Sequence, residues 1–274
     1  MTDTNTARAS TADTFDVDGR RVVVTGGTAG IGLAAAAHLV RCGAEVIVCG
    51  RRASGEDIAA GIGATFVAMD VADEASVAAG FERVAQRFDA LDALILNAGM
   101  DDYHGDVESL DLAIFERIMD VNTMGVVRTL RHGIALVRDH GSVVVTSSPA
   151  GSVAAPGMAA YAASKAALDQ LVRVWALELG PRHVRVNAVL PGLVESDMSS
   201  PSAPEFDVIQ QMTANGVVRQ PPEMAPVFHF LVSDASAPFT GSLVGCHDGI
   251  PVGFSLGVMS RLTAEVPDSA GSLS

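Results

Sequence analysis

Along the chain, short β-branched and aliphatic runs alternate with longer stretches whose apolar positions recur at helical spacing. Arg21–Thr25 (RVVVT) holds three consecutive valines, the pattern of a strand covered on both faces. Glu45–Cys49 (EVIVC), Thr65–Met69, Ala93–Leu96, Ser142–Thr146 (SVVVT) and Val184–Val189 repeat it, and Leu243–Cys246 adds a short seventh run. Between these the spacing predicts helices at 30–42 and at about 73–88, 111–138 and 160–179. Strand and helix in alternation build parallel β-α-β units. The predicted fold class is therefore α/β: one Rossmann-like, doubly wound parallel sheet of about seven strands with helices on both faces.

No linker, repeat or low-complexity block interrupts the series, which predicts one domain over residues 18–253. Residues 1–17 are polar, rich in Thr and Asp, and read as a disordered tail rather than a secretory signal. Residues 254–274 form an extension. The apolar run that leads into it (Ile250 to Met259) is unlike a free tail, and its end from Pro267 reads as disordered.

Composition narrows the function classes. A formal charge of −14 argues against a nucleic-acid surface and against a polybasic membrane anchor. The longest uncharged stretch, 141–164, is broken by Ser, Pro and Gly and cannot span a membrane. Three cysteines, Cys42, Cys49 and Cys246, show no C-x-x-C pairing and no histidine spacing that suggests zinc, and the seven histidines are scattered. The expectation is a cytoplasmic protein without a metal site.

In a doubly wound sheet, ligands sit beyond the carboxyl ends of the strands. There the sequence places Thr25-Gly26-Gly27-Thr28-Ala29-Gly30-Ile31-Gly32, between the first strand and the first helix. Its glycines permit a tight turn and let a pyrophosphate approach the helix N-terminus. The loop lacks the Lys-Ser/Thr ending of an NTPase loop, so a nucleotide other than ATP fits better. A plain glycine turn is the alternative.

Tyr161-Ala-Ala-Ser-Lys165 opens a later predicted helix. Residues four apart share one helical face, so phenol and ammonium can enter one cleft. A nearby cation favours phenolate and is expected to lower the tyrosine pKa toward the range of a working acid/base. Lys165 is the only lysine beside seventeen arginines, and Tyr161 is one of two tyrosines. A site that needs a compact ammonium would keep lysine where arginine has replaced it elsewhere.

With these residues the chain resembles the short-chain dehydrogenase/reductase family, from about Gly19 to Gly249. The resemblance rests on T-G-x-x-x-G-x-G at 25–32, N-A-G at 97–99, Y-x-x-x-K at 161–165 and P-G at 191–192, in that order. It implies a hydride transfer between a nicotinamide and a carbonyl or secondary alcohol carbon. Ser148 would bind the substrate oxygen, Tyr161 would move the proton, and Lys165 would hold the ribose and tune Tyr161. Asn122 would hold a water that links Lys165 to solvent. Gly26, Thr28, Gly30, Ile31 and Gly32 would cradle the cofactor, Asp70 and Val71 would meet the adenine, and Asn97, Ala98 and Gly99 would line the cleft. Pro191, Gly192, Val194 and Ser196 would lie over the nicotinamide.

Gly50 stands where NAD-preferring relatives carry an acid, and Arg51 and Arg52 follow it, so NADP(H) is expected over NAD(H). Ala29, where many NADP-preferring relatives carry a basic residue, points the other way. The partner is expected to be a small carbonyl or alcohol, with residues 195–220 as its variable lid. A homo-oligomer, a tetramer as in relatives, is expected from apolar positions on the helices near 111–138 and 160–179. Alternative readings are an epimerase or enoyl reductase of the same family, a cofactor-binding sensor without turnover, and a methyltransferase.

Overall fold

The computed structural model describes residues 14–102, 105–195 and 206–264. Seven parallel strands pair in the order β3-β2-β1-β4-β5-β6-β7. They are β1 (Arg21–Thr25), β2 (Glu45–Gly50), β3 (Thr65–Ala68), β4 (Leu91–Leu96), β5 (Val137–Thr146), β6 (Arg185–Pro191) and β7 (Leu243–Cys246). The order reverses between β1 and β4, which places a ligand crevice beyond their carboxyl ends.

The all-apolar strands feed two cores, one on each face, because successive side chains point to opposite sides. Val23 of β1 joins Ile47, Leu94, Val143 and Val145 on one face. Val22 and Val24 join Val46, Val48, Ile95 and Val144 on the other. The first face is covered by α3 (Glu74–Arg87), α5 (Gly125–Gly133) and α6 (Ala159–Glu178). The second is covered by α1 (Gly30–Arg41), α2 (Gly55–Ile62) and α8 (Pro221–Val232).

Two departures from the sequence pattern shape the site. The helix expected over 111–138 is broken: α4 (Leu112–Met119) passes into one π-helical stretch (Asp120–Met124) before α5, and β5 already begins at Val137 rather than Ser142. Asp111 caps α4, accepting from the main-chain nitrogens of Ala113 and Ile114. The second departure is α8, whose three prolines hide a helix. Pro221 and Pro222 occupy its first turn, where no N–H is needed, and Gln220 and Glu223 form a reciprocal capping box. Packing of α8 on α1 brings His38, Cys42 and His229 together.

Two shorter helices complete the described chain, α7 (Phe206–Met212) and α9 (Leu256–Ala264). Ser255, just before α9, hydrogen-bonds through Oγ to the Gln211 carbonyl, so the extension docks on α7 of its own chain. Val252, Phe254 and Leu256 stay exposed there. No helix among the described residues is long and apolar enough to cross a membrane.

Candidate active site

The glycine loop leaves β1 and enters α1. Gly26 and Gly30 have φ of 65° and 52°, a left-handed backbone that disfavours side chains. Gly26 also packs against the main chain after β4: a Cβ there would lie 2.8 Å from Ala98 Cα. A Cβ on Gly32 would collide with Asn97 Nδ2 and the Gly26 carbonyl. Ala29 is the N-cap of α1 and offers no side-chain cap, so the first N–H groups of that helix face the crevice without a protein acceptor from it. Thr28 is buried, whereas Ile31 packs partly into the core.

The chain after β4 is fixed from three sides. Thr25 Oγ1 accepts from the main-chain nitrogens of Asn97 at 3.1 Å and Ala98 at 3.3 Å. Asn97 donates to the Gly26 carbonyl at 3.3 Å and accepts from Thr146 Oγ1 at 3.0 Å. Asn122, fully buried in the π-helical stretch, bonds Met100 in both directions at 2.8 Å and donates to Ser164 Oγ at 3.1 Å. Three of its hydrogen-bonding positions are thus committed, and one lone pair on Oδ1 is left. A Cβ on Gly99 would sit 3.3 Å from that oxygen and 3.7 Å from Lys165 Nζ, so glycine keeps the gap between them open.

Tyr161 and Lys165 lie one turn apart near the start of α6, with Lys165 Nζ 5.4 Å from the centre of the Tyr161 ring. Lys165 is buried, and its ammonium donates to the Thr146 carbonyl at 3.0 Å. Burial lowers its pKa to about 8, against the opposing charges of Asp169 and Asp101. Burial also raises the Tyr161 pKa to about 12, although a hydrogen bond from Ser148 works the other way. The sequence predicts a tyrosine pKa lowered by the neighbouring lysine; the shift is upward instead, with removal from water its largest cause.

The two adjacent serines differ. Ser147 is buried, donating to Asp169 Oδ1 at 2.6 Å and to the Lys165 carbonyl at 3.4 Å. Ser148 is partly exposed, faces the Tyr161 phenol, and caps the short 3-10 turn Pro149–Gly151 by accepting from Ala150 N at 3.2 Å. Pro149 opens that turn, where its missing N–H costs nothing.

Residues 26–250 match the family model described as Enoyl-(Acyl carrier protein) reductase. The chain is 34% identical over 240 residues to cis-4-hydroxycyclohexanecarboxylate dehydrogenase of Sinomonas cyclohexanicum, covering 84% of this chain and 96% of that protein. It is 32% identical over 248 residues to Short-chain dehydrogenase reductase 5 of Arabidopsis thaliana, covering 86% and 96%. The chain belongs to the short-chain dehydrogenase/reductase family. Among solved structures, a short-chain type dehydrogenase/reductase from Mycobacterium marinum superposes with a TM-score of 0.83 at 28% identity, covering 87% and 98% of the two chains. A short chain dehydrogenase from Burkholderia cenocepacia J2315, solved in complex with NADP, gives 0.81 at 31% identity, covering 86% and 99%.

Members of the short-chain dehydrogenase/reductase family are NAD(P)-dependent oxidoreductases, and the residues present fit such a cofactor. The cradle has no room for a side chain at Gly26 or Gly32, Gly30 holds a left-handed backbone, and the uncapped α1 N-terminus suits a pyrophosphate. Farther along the crevice, Asp70 accepts from Ala72 N at 3.0 Å and pairs with Arg51 at 3.6 Å. Arg51 and Arg52 are exposed, and Val71 is buried beside Gly125. Gly50 packs on Thr28, whose Oγ1 would lie 3.0 Å from a Cβ there.

On the opposite wall, Pro191 ends β6 and Gly192 lies against the His247 main chain, 2.6 Å from Cα for an added Cβ. The Val194 side chain is buried in the core, so main-chain atoms are what this residue can offer the crevice. Ser196 lies outside the described residues. Sequence reasoning missed Thr25, Thr146 and Asp169. Asp169 was legible as the next residue on the Tyr161–Lys165 face, one further turn along.

Proposed function

We propose that this protein reduces a small-molecule carbonyl, or oxidises the matching secondary alcohol, with Tyr161 as general acid/base and NADP(H) as preferred cofactor. The observation that carries the reading is the convergence of Ser148 and Lys165 on the Tyr161 phenol, beside a side-chain-free nucleotide cradle.

When bound, the nicotinamide supplies or accepts the hydride. The chain's own residues handle position and proton. Ser148 Oγ and the Tyr161 hydroxyl place two donors where negative charge gathers on the substrate oxygen during reduction. With its pKa raised, Tyr161 is protonated at neutral pH and ready to donate. Lys165 orients the ribose and, as an ammonium, stabilises the phenolate left behind. Lys165 then replaces the proton that Tyr161 gives up, and Asn122, which holds the 97–100 loop, keeps through its remaining Oδ1 lone pair a water from which Lys165 is reprotonated.

The cofactor preference rests on Gly50, which places no acid at the ribose, and on Arg51 as a charge-assisted partner for a 2′-phosphate. The Arg51–Asp70 contact brings that cation to the adenosine end of the crevice. A tetrameric or other homo-oligomeric assembly accounts for Leu112, Met124, Val174 and Leu177, which α4, α6 and the π-helical stretch leave exposed. Trp175, by contrast, packs partly into its own core.

A panel of ketones, secondary alcohols and α,β-unsaturated thioesters, followed through cofactor absorbance with NADPH and NADH, tests the proposal. Turnover of ketones with NADPH supports it. Turnover confined to the thioesters would favour enoyl reduction, the reading that the family model's description suggests.

A further inference from the structure

The contact between α1 and α8 assembles three metal-ligating side chains away from the crevice. His38 and Cys42 are four residues apart, at the end of α1, and so share a face. His229 approaches from α8. His38 Nε2 lies 3.2 Å from His229 Nδ1 and 3.8 Å from Cys42 Sγ, and all three ligand atoms fall within 4.8 Å of one another. Each residue is partly buried.

These separations resemble the edges of a tetrahedron. Metal–nitrogen and metal–sulfur lengths of roughly 2.0 and 2.3 Å require about 3.3 Å between nitrogens and about 3.6 Å between nitrogen and sulfur. Only the remaining sulfur–nitrogen edge must close appreciably, by about 1.2 Å at most.

The tautomer of His229 is fixed as well. Its Nε2 lies 2.6 Å from the Phe15 carbonyl, which can only accept, so Nε2 carries the hydrogen. Nδ1 of the neutral ring is then left with a lone pair aimed at His38. A ligand histidine whose other nitrogen donates to a main-chain carbonyl is the usual outer-shell arrangement of a metal site.

We propose that His38, Cys42 and His229 bind one zinc-class divalent cation, with a fourth position open to water, and that the ion clips α1 to α8. Two imidazoles and a thiolate select borderline or soft metals over magnesium and calcium. The site stands at the far end of α1, roughly 12–18 Å along the helix from the glycine loop, so its role is structural rather than catalytic.

Cobalt(II) is the probe. Untagged, chelator-stripped, full-length protein titrated with it is expected to bind one equivalent, with intense tetrahedral visible bands and a thiolate-to-metal charge-transfer band that zinc abolishes. Cys42→Ser is expected to remove the charge-transfer band, and His229→Gln to weaken binding by about 100-fold or more. A weak octahedral spectrum without charge transfer in the wild-type chain overturns the proposal, whatever the variants do. So does binding of unchanged affinity in folded Cys42→Ser and His229→Gln proteins.

Discussion

Lys165 donates from Nζ to the main-chain carbonyl of Thr146 at 3.0 Å, tying the Tyr161–Lys165 face of α6 to the last residue of β5. The same Thr146 holds Asn97 through its hydroxyl, so one residue links the ammonium to the chain that lines the cofactor cleft. A change at Lys165 is therefore felt on both sides of the crevice. Lys165→Arg keeps the charge but not the compact geometry, and we expect it to lower kcat at least tenfold. Steady-state kinetics with the best carbonyl substrate would check this, and near-normal turnover would contradict it.

The depressed pKa of Lys165 predicts a pH dependence. Burial favours the neutral amine, so the ammonium is lost as pH rises through about 8 rather than near 10.5. Values of kcat/KM for the cofactor report the free enzyme and should fall above about pH 8. Asp169 opposes that loss, so Asp169→Asn should move the falling limb to lower pH while keeping an acceptor for Ser147. A limb in the same place in both proteins would remove Asp169 from the account.

The nucleotide cradle predicts an effect on binding. Gly32→Ala would push a methyl group into Asn97 Nδ2 and the Gly26 carbonyl. Titration should show cofactor affinity reduced by tenfold or more, with about 1–3 kcal/mol of stability lost to overpacking. Unchanged affinity would mean that this loop does not carry the pyrophosphate.

The proposed preference for NADP(H) rests on Arg51. Exposed and only loosely paired with Asp70, it should be removable without loss of fold. Arg51→Gln is expected to raise KM for NADPH several-fold and leave KM for NADH nearly unchanged. Equal effects on the two cofactors would favour a solvated turn after β2 over a phosphate site.

Much of this was readable before any coordinates. The strands announced themselves because a sheet covered on both faces needs unbroken apolar runs, and Arg21–Thr25 and Glu45–Gly50 lie where the pattern put them. Tyr161 and Lys165 were legible because helical spacing and a solitary lysine coincide. Other features depended on tertiary context. Pro221 and Pro222 are tolerated in the capped first turn of α8, which periodicity does not reveal. The π-helical stretch that buries Asn122 looks like ordinary helix in sequence. His38 and Cys42 carry helical spacing, but their partner His229 is 187 residues from Cys42 and joins them only through packing.

The central claim is that Tyr161 carries the proton. Tyr161→Phe keeps the ring and its packing but deletes the hydroxyl that meets Ser148. The decisive measurement is single-turnover reduction by this variant with saturating cofactor and carbonyl substrate, alongside its cofactor affinity. We predict affinity within about threefold of wild type and a rate reduced by 10²-fold or more, the scale of general acid catalysis. A wild-type-like rate in a variant that still binds cofactor would contradict the account.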